Sequence, residues 1–162
     1  MADVSALQLE QLYYPAGELI INWSVLDYQL VLIVAALYQN DRGKSLEDQL
    51  PREFGRRVRF LRKCISRFPQ LQPFATDMRN MLTAAKELVI VRDTLVHGAV
   101  SGYDERDKYY SFKRPDIDKN DDMHQINTIR MTLDDIRDYV VQSRTLMTFA
   151  IQIAEHLVES LP

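Results

Sequence analysis

PFATDMRNMLTAAKELVIVRDTLVHG, residues 73–98, carries Met78, Met81, Leu82, Ala85, Leu88 and Val89 at the three- and four-residue spacing of a helix that buries one face. Gly98 stands where a helix C-terminus favours glycine, so the pattern predicts a helix over about 73–97. Toward the N-terminus, Pro69 and Pro73 set this helix apart from a basic one over about 51–68. Before that, Leu19, Trp23, Leu26, Leu30, Ile33 and Leu37 keep heptad-like spacing in a helix over about 15–39, which Pro15 is predicted to open because it lacks an N–H. Residues 30–38 are apolar all round, which suits a central helix or one shared with another subunit, and Asn40 to Ser45, with Gly43, end the helix. Toward the C-terminus the period changes. GAVSGY and KYYSFK flank the turn-like Asp104–Asp107 and predict a hairpin, residues 114–122 (RPDIDKNDD) an acidic loop, and HQINTIRM from His124 a third strand. Thr132, with Asp135 three residues on, is predicted to cap a last helix over about 133–161, whose inner face carries Ile136, Val140, Ser143, Met147, Ala150, Ala154, Leu157 and Leu161. The expected fold is mainly α: four helices in a bundle, with a small three-stranded antiparallel insertion over about 98–131 before the last helix.

At 162 residues the chain is of single-domain length, and 46% hydrophobic with 27% charged residues excludes collagenous, low-complexity and wholly disordered classes. The single Cys64 forms no internal disulfide, and His97, His124 and His156 are too far apart for a Cys/His zinc spacing, so no metal or cofactor is expected and a reducing compartment is. The start, MADVSALQLEQ, lacks the basic n-region of a secretory signal. The longest unbroken apolar run, residues 30–38, falls short of the roughly 20 residues that a spanning helix needs. A soluble cytoplasmic protein without a membrane partner is expected.

The net charge of −3 argues against a general polyanion binder, yet the charge is unevenly placed. Arg52, Arg56, Arg57, Arg59, Arg62, Lys63 and Arg67 share a 16-residue window with one acid, Glu53. In that helix Phe54, Val58, Leu61, Ile65 and Phe68 read as the buried stripe, while Arg52, Arg56, Arg59, Lys63 and Arg67 fall on the opposite side. Few carboxylates are interleaved to pair with them, so the stripe is a candidate for contacts with RNA phosphates, although a solvated face built from good helix formers has the same pattern.

Arg92 follows Leu88 by four residues and Ala85 by seven, which puts a guanidinium on the apolar stripe of the third helix. That placement is expensive unless the group is paired or faces a wet cleft or a subunit junction. His97 closes the same helix, and Asp93, four residues earlier, lies within reach of its imidazole.

The segment Arg92-Asp93-Thr94-Leu95-Val96-His97-Gly98 resembles the R-x4-H signature of the HEPN superfamily, in which a polar residue follows the Arg and the His closes the third helix of a four-helix bundle. Trp23 and Asp27, in NWSVLDYQL, resemble the first helix of many bacterial members. The resemblance implies a metal-independent ribonuclease with Arg92, Asp93 and His97 at its site. Such chemistry suits these side chains: a His moves protons near neutral pH while the ribose 2′-hydroxyl attacks phosphorus, and an Arg holds phosphate oxygens. An i,i+5 pair lies about 140° apart around a helix, so one copy makes no compact site, and the resemblance implies a homodimer in which two paired motifs line one cleft. RNA is the expected substrate, and a toxin, defence or stress role implies an antitoxin or other protein partner. The toxins paired with nucleotidyltransferase antitoxins commonly carry a Tyr two residues after the His, where this chain has Ala99.

Other readings weigh against these. Arg92 can instead pair with Asp27, and His97 can be a solvated end residue. His124 and His156 read as structural, and Cys64 as a small buried hydrophobe rather than a nucleophile. Tyr103, Tyr109, Tyr110 and Phe112 suit sheet packing more than base stacking. A non-catalytic bundle of the same fold, serving dimerisation or nucleotide or RNA binding, is the alternative function.

Overall fold

The computed structural model describes residues 4–39, 41–117 and 123–160. The protein is mainly helical, with a small three-stranded antiparallel sheet before the last helix. In chain order, α1 spans Ala6–Gln39, the short turn α2 Asp41–Lys44, α3 Phe54–Ile65, a 3-10 segment Pro69–Phe74, and α4 Ala75–His97. Strands β1 (Ala99–Asp104), β2 (Tyr109–Ile117) and β3 (Met123–Thr132) lead into α5, Leu133–Ser160. The chain divides into two compact units, Met1–Asn22 with Glu87–Gln142 and Trp23–Lys86 with Ser143–Pro162.

Helix α1 begins well before Pro15, which lies inside it. The signal for the true start is a reciprocal capping box: the Gln8 amide donates to Ser5 Oγ at 3.3 Å and the Ser5 amide to Gln8 Oε1 at 2.8 Å. A proline inside a helix costs about 3 kcal/mol or more. Leu12 and Leu19, on either side of it, are both buried, and each contributes about 1.5–3 kcal/mol, which offsets the interruption. By length and composition α1 is apolar enough to cross a membrane, with a mean hydropathy of 1.7 over 18 residues, even though its unbroken apolar run is short. Trp23, Leu26, Leu30, Ile33, Val34 and Leu37 place part of that apolarity in the core, while Ile21, Tyr28, Val31 and Leu32 are exposed.

In the unit containing α3, Val58, Phe60, Leu61, Cys64, Ile65 and Phe68 are buried, and Phe54 is half-buried with its ring 5.2 Å from that of Trp23. Burial pushes the Cys64 thiol up to about 12. Arg57 is buried as well, its guanidinium bound to Asp27 and to the Arg52 carbonyl. The helix is shorter than its apolar pattern predicts: the amides of Arg67 and Phe68 both donate to the Cys64 carbonyl, and the chain turns there into the 3-10 segment. On α5 the buried set is Ile136, Val140, Ser143, Leu146, Ala150, Ile153 and Leu157. Leu146 and Ile153 replace the adjacent Met147 and Ala154, because a 3.6-residue period lets either neighbour face inward. Leu161 lies outside the described residues.

In the other unit the sheet order is β1-β2-β3. Tyr110 and Phe112 of the central strand are fully buried, and the Tyr110 hydroxyl donates to the Gln8 carbonyl at 2.7 Å. Strand β2 continues through Arg114–Ile117, where a loop is expected from sequence, because these residues pair with β3 from Asn127 to Met123. Pro115 is tolerated there because β1 pairs only as far as Lys113, leaving one side of β2 as an edge. The remainder of the expected acidic loop, 118–122, lies outside the described residues. Thr132 caps α5 as expected: the Asp135 amide donates to Thr132 Oγ1 at 3.0 Å, and Asp135 Oδ2 accepts from the Thr132 amide and hydroxyl at 2.8 Å each.

Two measurements follow from these local environments. The Thr132 amide and hydroxyl hold the Asp135 carboxyl below its usual range, so its contribution is full above the unfolded pKa, about 3.9, and is lost as pH falls through the lower folded value. Asp135→Asn is therefore expected to lower stability by about 0.3–1 kcal/mol at pH 7, with urea unfolding curves of variant and native chain converging as pH falls through the lowered folded value. Cys64 is expected to resist a disulfide reagent in the folded protein and to react stoichiometrically once guanidinium unfolds it.

Candidate functional site

Along the last turns of α4 the buried positions are Leu88, Val91 and Thr94, with the Thr94 hydroxyl donating to the Ile90 carbonyl at 2.8 Å. The buried face thus advances by threes at this end, and Arg92 falls on its border rather than on the stripe. Its side chain is 26% exposed, as is that of Asp93, and Arg92 Nη1 lies 2.9 Å from Asp93 Oδ1. The other Asp93 oxygen faces Arg114 of β2, Nη2 to Oδ2 3.6 Å. One carboxylate therefore bridges two guanidiniums.

His97, the final residue of α4, is exposed. Among the described residues no hydrogen bond or ion pair joins it to Asp93. The orientation of His97 by Asp93 that i,i+4 spacing leads one to expect is not made, because two permanent cations hold both carboxylate oxygens. Asp27, the partner offered to Arg92 by the other reading, is held within its own unit by Arg57. Arg114 is the residue that sequence reasoning missed, since its role depends on strand pairing across the sheet.

Gly98 fixes how this helix end meets the sheet. Its amide donates to the Thr94 carbonyl at 2.9 Å, and a β-carbon there would stand 2.4 Å from that oxygen and 3.5 Å from Phe112 Cβ. Only glycine allows the chain to leave α4 and enter β1 at the next residue.

In the other unit the basic stripe lies on the outer side of α3 as expected, with Arg52, Arg59, Lys63 and Arg67 exposed and Arg56 half-buried. It is less free of acid than the helix sequence implies, because Glu47 from the preceding segment reaches it. Glu47 accepts from Lys63 Nζ at 2.8 Å and lies 3.8 Å from Arg56, and the Lys63 bond holds its carboxyl below the ordinary range. Arg62 donates to Thr83 Oγ1 at 3.1 Å. Among the described residues Arg52, Arg59 and Arg67 have no carboxylate within ion-pair distance. Arg52 and Arg56, with Gln49, Leu50 and Glu53, line a concavity of about 490 Å³.

His156 packs edge-on against Phe74 with ring centroids 5.0 Å apart, a structural placement; the side chain of His124 lies outside those described. Tyr110 and Phe112 are core residues and the Tyr103 ring packs tilted at 57° against that of Tyr110, centroids 4.8 Å apart, whereas Tyr109 has Arg130 over its ring at 5.0 Å. A groove of about 690 Å³ is lined by residues that include Asp77, Met81, Arg144, Phe149 and Gln152; it shares none with the Arg92–Asp93–Arg114 cluster. Among the described residues no group of three or more His, Cys, Asp or Glu is placed to hold a metal ion. The chain matches no protein-family model, no curated protein and no solved structure.

Proposed function

We propose that the protein is a metal-independent endoribonuclease of HEPN type, its helices forming the four-helix bundle of that superfamily and its site lying at the end of α4. The observation that carries this reading is the grouping of Arg92, Asp93 and Arg114 beside the helix end that exposes His97. In the proposed reaction His97 takes the proton of a ribose 2′-hydroxyl as the oxygen attacks the adjacent phosphorus. The P–O5′ bond breaks, a protonated imidazole supplies the proton to the leaving oxygen, and a 2′,3′-cyclic phosphate remains. The developing charge on the phosphorane oxygens is met by Arg92 and Arg114. Asp93 holds these guanidiniums in place before substrate arrives. Because both of its oxygens already face arginines, we assign it this positioning role rather than the orientation of His97.

The working form is proposed to be a homodimer in the cytoplasm, in which two helix ends complete one cleft. Exposed Ile90 and Val96 on the same stretch of α4 supply apolar surface for such a junction. The outer cations of α3 are proposed to hold RNA phosphates. With Glu47 on Arg56 and Lys63, the residues best placed for this are Arg52, Arg59 and Arg67.

The deciding experiment is cleavage of mixed-sequence RNA in EDTA. The native chain is expected to leave 2′,3′-cyclic or 3′-phosphate ends, His97→Ala to lose about 10²–10⁴-fold in rate and Arg92→Ala about 10²–10³-fold. Cleavage that persists in both variants overturns the site; binding without cleavage by the native chain assigns the protein to the non-catalytic alternative. Arg52→Gln, Arg59→Gln and Arg67→Gln together are expected to flatten the slope of log affinity against log salt by about 2, at about 0.7 per phosphate on single strands. An unchanged slope makes the stripe a solvated face.

A further inference from the structure

Side chains alternate across β2. Tyr110 and Phe112 are buried on one face, while Tyr109, Lys113 and Pro115 belong to the other. On that outer face Lys113 stands between Ala99 of β1 and Thr128 of β3, and Ser111 stands opposite Arg130. Lys113 and Arg130 are therefore diagonal neighbours, with Cα atoms about 7–8 Å apart. Both are exposed, and among the described residues neither has a carboxylate within ion-pair distance. Arg130 Cζ lies 5.0 Å from the centroid of the Tyr109 ring, so the guanidinium is held over an aromatic ring while the residue itself is open to water. Asp104, the acid opposite Tyr109, is engaged in its own turn, accepting from the Arg106 and Asp107 amides at 3.0 and 2.9 Å. Ala99, the partner of Lys113, follows His97 by two residues, so this face adjoins the end of α4.

We propose that the outer face of the sheet is a binding track for single-stranded RNA, with Lys113 on a phosphate and a base stacked on the Arg130 guanidinium that Tyr109 supports. The choice of RNA rests on the ribonuclease reading; the geometry supplies the rest. A guanidinium fixed by an aromatic ring presents a flat cationic plane that accepts a base of any sequence, and an ammonium one strand away and one pair along matches a flanking phosphate. Solvation alone asks for no such cation–ring contact.

The track is tested by fluorescence anisotropy with a labelled mixed-sequence 12-nucleotide RNA, using His97→Ala as the parent so that no strand is cut. Lys113→Gln is expected to lower the salt slope by about 0.7. Arg130→Lys keeps the charge and loses the plane, so affinity is expected to fall about fivefold or more with the slope unchanged. Thermal unfolding of each variant is expected to match the parent, since both positions are exposed. The track is overturned if the parent binds no single-stranded RNA, if both variants bind as the parent does, or if Arg130→Lys binds unchanged. Binding that the variants weaken, by a native chain that never cleaves, keeps the track and removes the ribonuclease reading instead.

Discussion

The Gly98 amide meets the Thr94 carbonyl at 2.9 Å, in space that no β-carbon can enter. This contact ends α4 without a loop, so β1 starts at the next residue and takes its register against β2 from Ala99 opposite Lys113. Everything at the candidate site descends from that junction. His97 is left exposed because it is the last residue of the helix, and Arg114, next to Lys113 on β2, is carried to the side of Asp93. A loop of several residues between helix and sheet would uncouple these positions.

The Asp93 bridge is suited to being opened. The three side chains are between a quarter and a third exposed, and ion pairs in that setting are worth about 0–1 kcal/mol. A phosphate offers each guanidinium two oxygens in the same fork geometry, and charge-assisted pairs of that kind are among the stronger hydrogen bonds. Under the proposed ribonuclease reading a phosphate would take Arg92 and Arg114 from Asp93 at small cost, and without it the carboxylate sits between the two like charges. The Arg57–Asp27 pair is different in kind: Arg57 is buried, so losing either partner would strand a charge in the core. It is a structural pair in a helix whose other cations face outward.

Much of the helical framework was legible because periodicity reports burial. The end of α4 at Gly98, the Thr132–Asp135 cap and the three strands all follow patterns that local chemistry enforces. Pro15 misled because it is permitted in two settings, the first turn of a helix or a well-buried interior, and only the Ser5–Gln8 box upstream separates them. Arg114 read as loop because proline and acidic neighbours usually mark one; that β1 stops short of Pro115 and leaves it an edge is a fact of pairing, not of composition. At the site, Arg92 and His97 were found by spacing along one helix. The partners of Asp93 and the arrival of Glu47 on the α3 stripe were not, since both involve side chains from other segments.

A net charge of −3 disfavours a general polyanion binder, but at physiological salt the Debye length is about 8 Å, so a phosphate responds to the charges nearest it rather than to the total. What matters is whether cations are locally neutralised. Arg56 and Lys63 share Glu47, and Arg92 and Arg114 share Asp93. Arg59 also lies within the field of Glu47, whereas Arg52, Arg67, Lys113 and Arg130 have no carboxylate within ion-pair distance among the described residues. The acids that make the chain negative overall lie elsewhere in the sequence, two of them, Asp104 and Asp135, spent on a turn and a helix cap. Local excess of this kind acts on a phosphate within about one Debye length, which under the proposed RNA-binding reading favours docking at a few sites over coating of the whole surface.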